Sequence, residues 1–329
     1  MAALKIHVPE GHYTISARFS PAELHEIDLE LVDSPDNAEV IVTALVEECL
    51  PFAAKYRAEK KYLIWCDEPL WSSVFIKANL RRNEYEVTGV GRVVIDAMNC
   101  FTGDIFFNNY HFLSKQYCLD LDSFYKNSGG FTKERFALSG GRIVVFASYR
   151  NDTMWNYEFD NGVKGLCTER SRVALEGALF GHIDVYGKDW PLAIANREPL
   201  VKCENEFMEK IQVQKNYNFA LCFENTLSNY YVTEKIWQAI LSDTLPIYYA
   251  GPKHTIYQDF PKESFLDYCD FKCPNELFDR VKQMTLTEYE NRLGLCRDAL
   301  KRSIEFSDEG KVSRQLQLIA LRQRIMKLS

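Results

Sequence analysis

Short apolar runs, rich in β-branched and aromatic residues and each followed by a polar or amphipathic stretch, recur along the chain. Ala38-Glu39-Val40-Ile41-Val42-Thr43-Ala44 and Lys61-Tyr62-Leu63-Ile64-Trp65-Cys66 are two in the first third, with Val93-Val94-Ile95 and Ile105-Phe106-Phe107 as weaker members. Arg142-Ile143-Val144-Val145-Phe146-Ala147-Ser148, His182-Ile183-Asp184-Val185-Tyr186-Gly187, Phe219-Ala220-Leu221-Cys222-Phe223 and the run from Leu245 to Pro252 repeat the pattern later. Helical spacing fills the gaps at Glu169 to Phe180, Val232 to Leu241 and the charged stretch Glu276 to Ser303. Strand-length runs alternating with amphipathic helices predict βα units and mostly parallel sheets. The segment Met1 to Pro9 reads as the first strand.

At 329 residues the chain has room for about two domains. The richest Gly/Ser stretch, Asn127-Ser128-Gly129-Gly130 and then Ser139-Gly140-Gly141, puts a boundary near residue 140. The expected division is 1–140, 141–305, and a tail at 306–329. Hydrophobic residues at 47% and charged residues at 26% are those of an ordinary globular chain. A net charge of −7 argues against a nucleic-acid partner, because the summed field repels phosphate polyanions.

No apolar stretch is long enough to span a bilayer, and the N-terminus is too short and polar for a signal peptide. The expectation is a cytoplasmic or membrane-peripheral protein in which most of the ten cysteines are reduced. Only Cys269 and Cys273 lie close together, and no second pair completes a zinc site. Asp120-Leu121-Asp122 has a D-x-D form but does not end a strong buried strand, so no metal site is assigned.

The stretch that carries chemistry is Phe219-Ala220-Leu221-Cys222-Phe223-Glu224-Asn225, followed by Tyr230-Tyr231-Val232-Thr233-Glu234-Lys235-Ile236-Trp237. A buried strand delivers Glu224 and Asn225 to its carboxyl end, where ligands bind in open α/β sheets. Thr233 and Glu234 sit at a helix start, whose free N–H groups favour phosphate, and Lys235 adds a full charge. A carboxylate beside a lysine in that place suits a sugar nucleotide. The plainer reading is a Thr-Glu helix cap with a solvated lysine.

This segment resembles the donor-binding signature of the α-1,3/4-fucosyltransferases, glycosyltransferase family 10, with the form F-x-L-x-F-E-N-[ST], a short loop, then [YD]-[YI]-[VI]-T-E-K-[IL]. The resemblance continues through Thr244-Leu245-Pro246-Ile247-Tyr248-Tyr249-Ala250-Gly251-Pro252 and Phe260-Pro261-Lys262-Glu263-Ser264-Phe265-Leu266, and covers about residues 140 to 272. It implies a GT-B architecture, two Rossmann-like α/β domains facing a cleft, and inverting transfer of L-fucose from GDP-β-L-fucose to an α-1,3 or α-1,4 linkage. The acceptor would be a GlcNAc- or Glc-containing oligosaccharide or glycolipid, with no metal or other cofactor.

By the same resemblance Glu234 contacts the fucose ring or the ribose and counts with the catalytic residues. Lys235 binds the diphosphate, Glu224 and Asn225 line the donor pocket, and Tyr231 packs nearby. Arg172 is the second cation on the pyrophosphate, with Arg170 as its rival.

An acceptor hydroxyl attacking fucose C1 must lose a proton, which calls for a carboxylate base across the cleft. The family takes it from the first domain just after a strand, and the matching place is Trp65-Cys66-Asp67-Glu68-Pro69. Glu68 is the chosen base, Asp67 its rival, and a surface acidic pair capping a helix is the plainer alternative. Trp65 serves either to stack on a sugar or to fill the core. The tail from Lys311 to Ser329 has five cations, no acid, and apolar residues at helical spacing. It either packs back on the protein or touches an anionic membrane surface peripherally.

Overall fold

The computed structural model describes residues 3–10, 15–66, 82–87, 91–99, 105, 108–110, 133–159, 162–191, 194, 196–197, 206–305 and 307–328. The chain divides into two compact units, residues 1–107 with 311–329, and residues 108–310.

In the first unit the strands are β1 (Leu4–His7), β2 (Leu29–Leu31), β3 (Val40–Thr43), β4 (Lys61–Cys66), β5 (Arg82–Val87) and β6 (Gly91–Asn99). They form one sheet in the order β2-β1-β3-β4-β6-β5. All neighbours are parallel except β5, which runs antiparallel to β6 from Arg82↔Asp96 to Val87↔Gly91. All four residues of β3 and five of the six in β4 are buried, so side chains on both faces pack inward, as in a sheet covered on both sides. Trp65 is one of these: it is 1% exposed and meets the Phe19 ring edge-on at 5.8 Å. Its place is in the core, and the sugar-stacking alternative falls away.

The second unit holds β7 (Ile143–Phe146), β8 (Lys164–Gly165), β9 (Ile183–Tyr186), β10 (Asn196–Arg197), β11 (Phe219–Leu221), β12 (Thr226–Leu227), β13 (Leu245–Tyr248) and β14 (Leu266–Asp267). Six of them make a wholly parallel sheet in the order β10-β9-β7-β11-β13-β14, while β8 and β12 form a small antiparallel ribbon. Both units are thus parallel-sheet α/β structures of the kind the βα alternation predicts.

The Gly140-Gly141 break lies inside the second unit and does not separate the two. It is a turn between the helix Lys133–Ser139 and β7. That helix is tied to its own unit: Arg135 Nη2 donates to the Tyr217 and Ser242 carbonyls at 3.0 Å, and Asn218 Nδ2 donates to the Phe136 and Gly140 carbonyls. A glycine-rich turn ends a helix as well as it links domains, and sequence alone does not distinguish the two.

The expected helical stretch Glu276 to Ser303 is two helices, Pro274–Gln283 and Leu286–Glu305. The break falls at Thr285, whose hydroxyl accepts from the Glu288 amide at 3.3 Å, as a helix N-cap does. The Glu288 side chain joins the two helices by accepting from Arg280 and, at 2.7 Å, from Arg292. These two cations hold its carboxyl down at about 2, against partial burial. A depressed folded pKa stabilises above the unfolded value near 4.5, and that stability is lost as pH falls through about 2. The pair is about one-third exposed, so screening reduces its worth to roughly 1 kcal/mol. Glu288→Gln is therefore expected to lower unfolding free energy by that amount in neutral urea melts. The gap should close in acid; a gap constant with pH would contradict it.

The C-terminal helix Ser307–Leu328 packs on the first unit. Leu318, Leu321 and Ile325 are buried. Arg314 pairs with Glu23, Arg322 with Asp28 at 2.7 Å, and Arg324 with Asp96 at 2.7 Å. The tail's cations answer carboxylates of its own unit, which is the packing-back alternative.

Candidate active site

In the second sheet the chain starts at β7, steps outward through β9 to β10, then returns to the other side of β7 and continues through β11, β13 and β14. The order reverses between β7 and β11. Crevices at the carboxyl ends of strands at such a switch are where ligands bind in open α/β sheets. A cavity of about 420 Å³ lies there, lined by Phe146, Ala147, Ser148 and Arg150 at and beyond the end of β7 and by Tyr186, Gly187 and Lys188 at and beyond the end of β9. Asn225 after β11, with Arg170, Lys210, Glu234 and Lys235 from three helices, completes it.

Gly187 is required at its position. Its φ is +145°, and a Cβ there would stand 2.0 Å from the Ala147 carbonyl oxygen. This lets the end of β9 close against the end of β7, narrowing the cavity floor to bare backbone. Beside it the rings of Phe146 and Tyr186 stack at 4.9 Å and form an aromatic wall.

Glu234 and Lys235 open the helix Glu234–Leu241, with Thr233 at its N-cap. The plainer reading of the sequence is a Thr-Glu cap, but the Thr233 side chain makes no such bond. Its hydroxyl instead donates to Glu224 Oε2 at 2.6 Å, and its amide donates to Glu224 Oε1 at 2.7 Å. Lys235 Nζ donates to Glu224 Oε2 at 3.1 Å, to Thr233 Oγ1 at 2.7 Å and to Glu234 Oε1 at 3.3 Å. Tyr248 OH donates to Glu224 Oε1 at 3.3 Å.

Glu224 is 2% exposed and does not line the cavity; it anchors Lys235 from beneath. Burial penalises the Lys235 charge, but the two carboxylates outweigh it and push its pKa up, so it stays cationic. Burial likewise works against the Glu234 charge, and the ammonium groups of Lys235 and Lys210 overcome it and hold its pKa down. Both charges are thus fixed at the cavity wall before any ligand arrives.

The two arginine candidates part company on the helix Cys167–Leu179. Positions two apart in a helix point to nearly opposite sides. Arg170 is 4% exposed and faces the cavity. Its Nη1 donates to the Phe223 carbonyl at 3.0 Å, its Nη2 approaches the Cys167 sulfur, and its Nε is buried with no hydrogen-bond partner. Arg172, the residue chosen from the sequence, is on the outer face. It bonds Glu169 at 2.6 Å, Glu176 at 3.3 Å and Tyr268 OH at 3.1 Å, and does not line the cavity. Its cation is spent on neighbours one helical turn away.

Asn225, Glu234 and Lys235 are therefore brought together as expected. Glu224 and Tyr231, both buried, stand behind the wall. Asp67 and Glu68 lie outside the described residues, as do Asp120 and Asp122. Sequence reasoning missed Arg150, Lys188 and Lys210. Arg150 and Lys188 each follow a strand end, the same signal that located Asn225. Lys210 sits within the helix Glu206–Gln214, where nothing local marks it. Five cationic side chains face one carboxylate across the cavity, and the buried Arg170 has no acid among its described hydrogen-bond partners. A buried cation is costly unless an anion answers it, so the arrangement suits an anionic ligand. Among the described residues no group of three or more His, Cys, Asp or Glu is placed to hold a metal.

Residues 166–292 match the model of the glycosyltransferase family 10 (fucosyltransferase) C-terminal domain. The α-(1,3)-fucosyltransferase FucT of Helicobacter pylori is 43% identical over 84 residues, 26% of this chain and 16% of that protein. The human GDP-fucose protein O-fucosyltransferase 3 is 27% identical over 162 residues, 48% of this chain and 31% of that protein. The human 3-galactosyl-N-acetylglucosaminide 4-alpha-L-fucosyltransferase FUT3 is 32% identical over 119 residues, 35% and 30% of the two chains. The matched part spans less than a third of the length of each of these relatives. A crystal structure of an α1,3-fucosyltransferase with GDP-fucose aligns over 89% of this chain and 81% of its own, at TM-score 0.44 and 20% identity. The matched residues 166–292 contain the cavity's Arg170, Asn225, Glu234 and Lys235, so this part of the chain is similar to the glycosyltransferase family 10 (fucosyltransferase) C-terminal domain.

Proposed function

We propose that the protein is an inverting fucosyltransferase that moves L-fucose from GDP-β-L-fucose to a hydroxyl of a GlcNAc- or Glc-containing glycan, forming an α-1,3 or α-1,4 linkage. The observation that carries this reading is the cavity at the β7/β11 switch, where the buried Arg170 and the partly buried Lys235 are cations held ready for an anion. The donor assignment draws on the relatives' names, which specify fucose transfer and, in one case, GDP-fucose.

In the proposed reaction the acceptor oxygen bonds to fucose C1 as the C1–O bond to phosphate breaks. GDP departs with the bonding pair and the acceptor proton passes to a carboxylate. Charge develops on the leaving diphosphate, and fixed cations stabilise it without reorganising. Arg170 and Lys235 have that role, with Arg150, Lys188 and Lys210 around them. Since these side chains supply the neutralisation, no metal is assigned a part. Glu234, held ionised, is placed to accept from sugar hydroxyls. Asn225 can do the same, and the Phe146/Tyr186 wall suits a nucleobase ring. Glu68 remains the proposed base and Asp67 its rival.

A turnover panel of GDP-fucose, other GDP-sugars and UDP-sugars, run with and without EDTA, tests the donor. GDP-fucose alone should support transfer, in both conditions. Transfer from another donor would reassign the enzyme within the nucleotide-sugar transferases, and binding without transfer would mark a glycan-binding protein. For the base, Glu68→Gln should abolish transfer and leave GDP affinity intact. The same loss in Asp67→Asn, with Glu68→Gln active, would move the role to Asp67.

A further inference from the structure

A second cavity, of about 570 Å³, lies wholly within the first unit and takes no part in the reaction above. Arg57, Lys60, Lys61, Arg92, Arg324 and Lys327 line it, with Asp96 as its one carboxylate. In a chain whose net charge is −7, this is a pronounced local concentration of positive charge. The single acid is already engaged: Asp96 accepts from Arg324 at 2.7 and 2.8 Å. Arg57, Lys61 and Lys327 meet no carboxylate among the described residues.

The cations come from three separate pieces of chain. Arg57, Lys60 and Lys61 lie just before and at the start of β4, Arg92 lies at the start of β6, and Arg324 and Lys327 lie on the C-terminal helix. Part of the set is fixed in place. Lys60 Nζ donates to the carbonyls of Asp36, at 2.8 Å, and Ala38. Arg324 also donates to the Ala97 carbonyl at 3.2 Å, which clamps the helix to β6. Between the cations, Tyr62, Val93, Val94 and Leu328 give the cavity an apolar lining.

Six cations facing a single carboxylate leave positive charge in excess, and a bound anion relieves the repulsion among them most strongly where part of the site is shielded from water. We infer that this cavity is a binding site for a phosphate-bearing ligand whose phosphates meet Lys61, Arg92 and Lys327 and whose apolar or ring portion lies on Tyr62 and Val94. It opens at the amino ends of β4 and β6, roughly 17 Å along β4 from Cys66, which leads into the acid pair Asp67-Glu68. A ligand here therefore need not compete with chemistry at the carboxyl ends of the strands. The inference is independent of the donor assignment, since it shares no residue with the first cavity.

The test compares the full-length wild type, Lys61→Glu/Lys327→Glu, and Lys235→Ala. Both substitutions in the double variant are at exposed side chains, and thermal melting checks that it folds. Calorimetry with inorganic pyrophosphate reads a free phosphate ligand. Flotation with vesicles of phosphatidylcholine and phosphatidylglycerol reads a lipid headgroup. In at least one arm the wild type should bind at this second cavity, the double variant should weaken that binding about tenfold or lose it, and Lys235→Ala should keep it while losing pyrophosphate binding at the first cavity. Pyrophosphate binding of this pattern identifies a soluble phosphate ligand, and vesicle binding alone identifies a headgroup. No binding in either arm, equal binding by the double variant, or loss only in Lys235→Ala would overturn the inference.

Discussion

Lys235→Ala should lower kcat/KM for fucose transfer by about 10²-fold or more, the scale of losing one preorganised charge-stabilising contact. The loss follows from where the ammonium is held. Lys235 has three acceptors, Glu224, Thr233 and Glu234, and the network beneath it does not depend on a ligand. Its position costs nothing to establish when the diphosphate arrives. Removing it also leaves the 2%-exposed Glu224 carboxylate with neutral donors only, from Thr233 and Tyr248.

Part of the Lys235→Ala defect will therefore be structural, since a buried charge stripped of its partner destabilises by about 3–5 kcal/mol. Lys235→Ala/Glu224→Gln separates the two effects. The double variant should recover thermal stability toward wild type, because the orphaned charge is gone, yet stay as inactive as the single one. Recovery of turnover along with stability would show that Lys235 only props up the fold. Near-wild-type turnover in Lys235→Ala would remove it from the site.

Arg170→Ala should cost a comparable factor, about 10²-fold in kcat/KM with weakened GDP binding, while Arg172→Ala should leave kcat/KM within about twofold. Arg170 faces the cavity with its Nε unpartnered, which is the geometry of a cation waiting for an anion. Arg172 is saturated by Glu169, Glu176 and Tyr268, and its loss removes exposed helix-surface pairs worth a few tenths of a kcal/mol each. Titration of GDP into both variants checks this. The reverse ranking, with Arg172→Ala inactive and Arg170→Ala normal, would mean that the helix presents its other face in the working enzyme.

The choice between these arginines shows where sequence reading reaches its limit. Both are cations at a helix start ahead of the strand ending in Gly187, and composition and spacing treat them alike. What separates them is helix phase, set by the burial of Val173, Ala174 and Gly177 against the sheet. The strand runs were legible because parallel strands buried on both faces must be apolar throughout, and β3, β4, β7, β11 and β13 all lie in predicted runs. The hairpin partner β5 was not, since Arg82-Asn83-Glu84-Tyr85-Glu86-Val87 has the polar pattern of an edge strand.

Glu224 was legible as important but misplaced. The sequence shows a carboxylate at a strand end and cannot show that its oxygens are already taken by Thr233, Lys235 and Tyr248. The domain break near Gly140 failed for a related reason, because Arg135 and Asn218 stitch that turn into the second unit through partners far away in the chain.

The most direct test of the account is the position of the diphosphate in a structure of the protein with GDP-fucose. The nucleotide should lie in the 420 Å³ cavity, with diphosphate oxygens about 3 Å from Lys235 Nζ and the Arg170 guanidinium. Glu234 should face the fucose hydroxyls or the ribose. A diphosphate seated on Arg172, or a nucleotide bound away from the ends of β7 and β11, would contradict it.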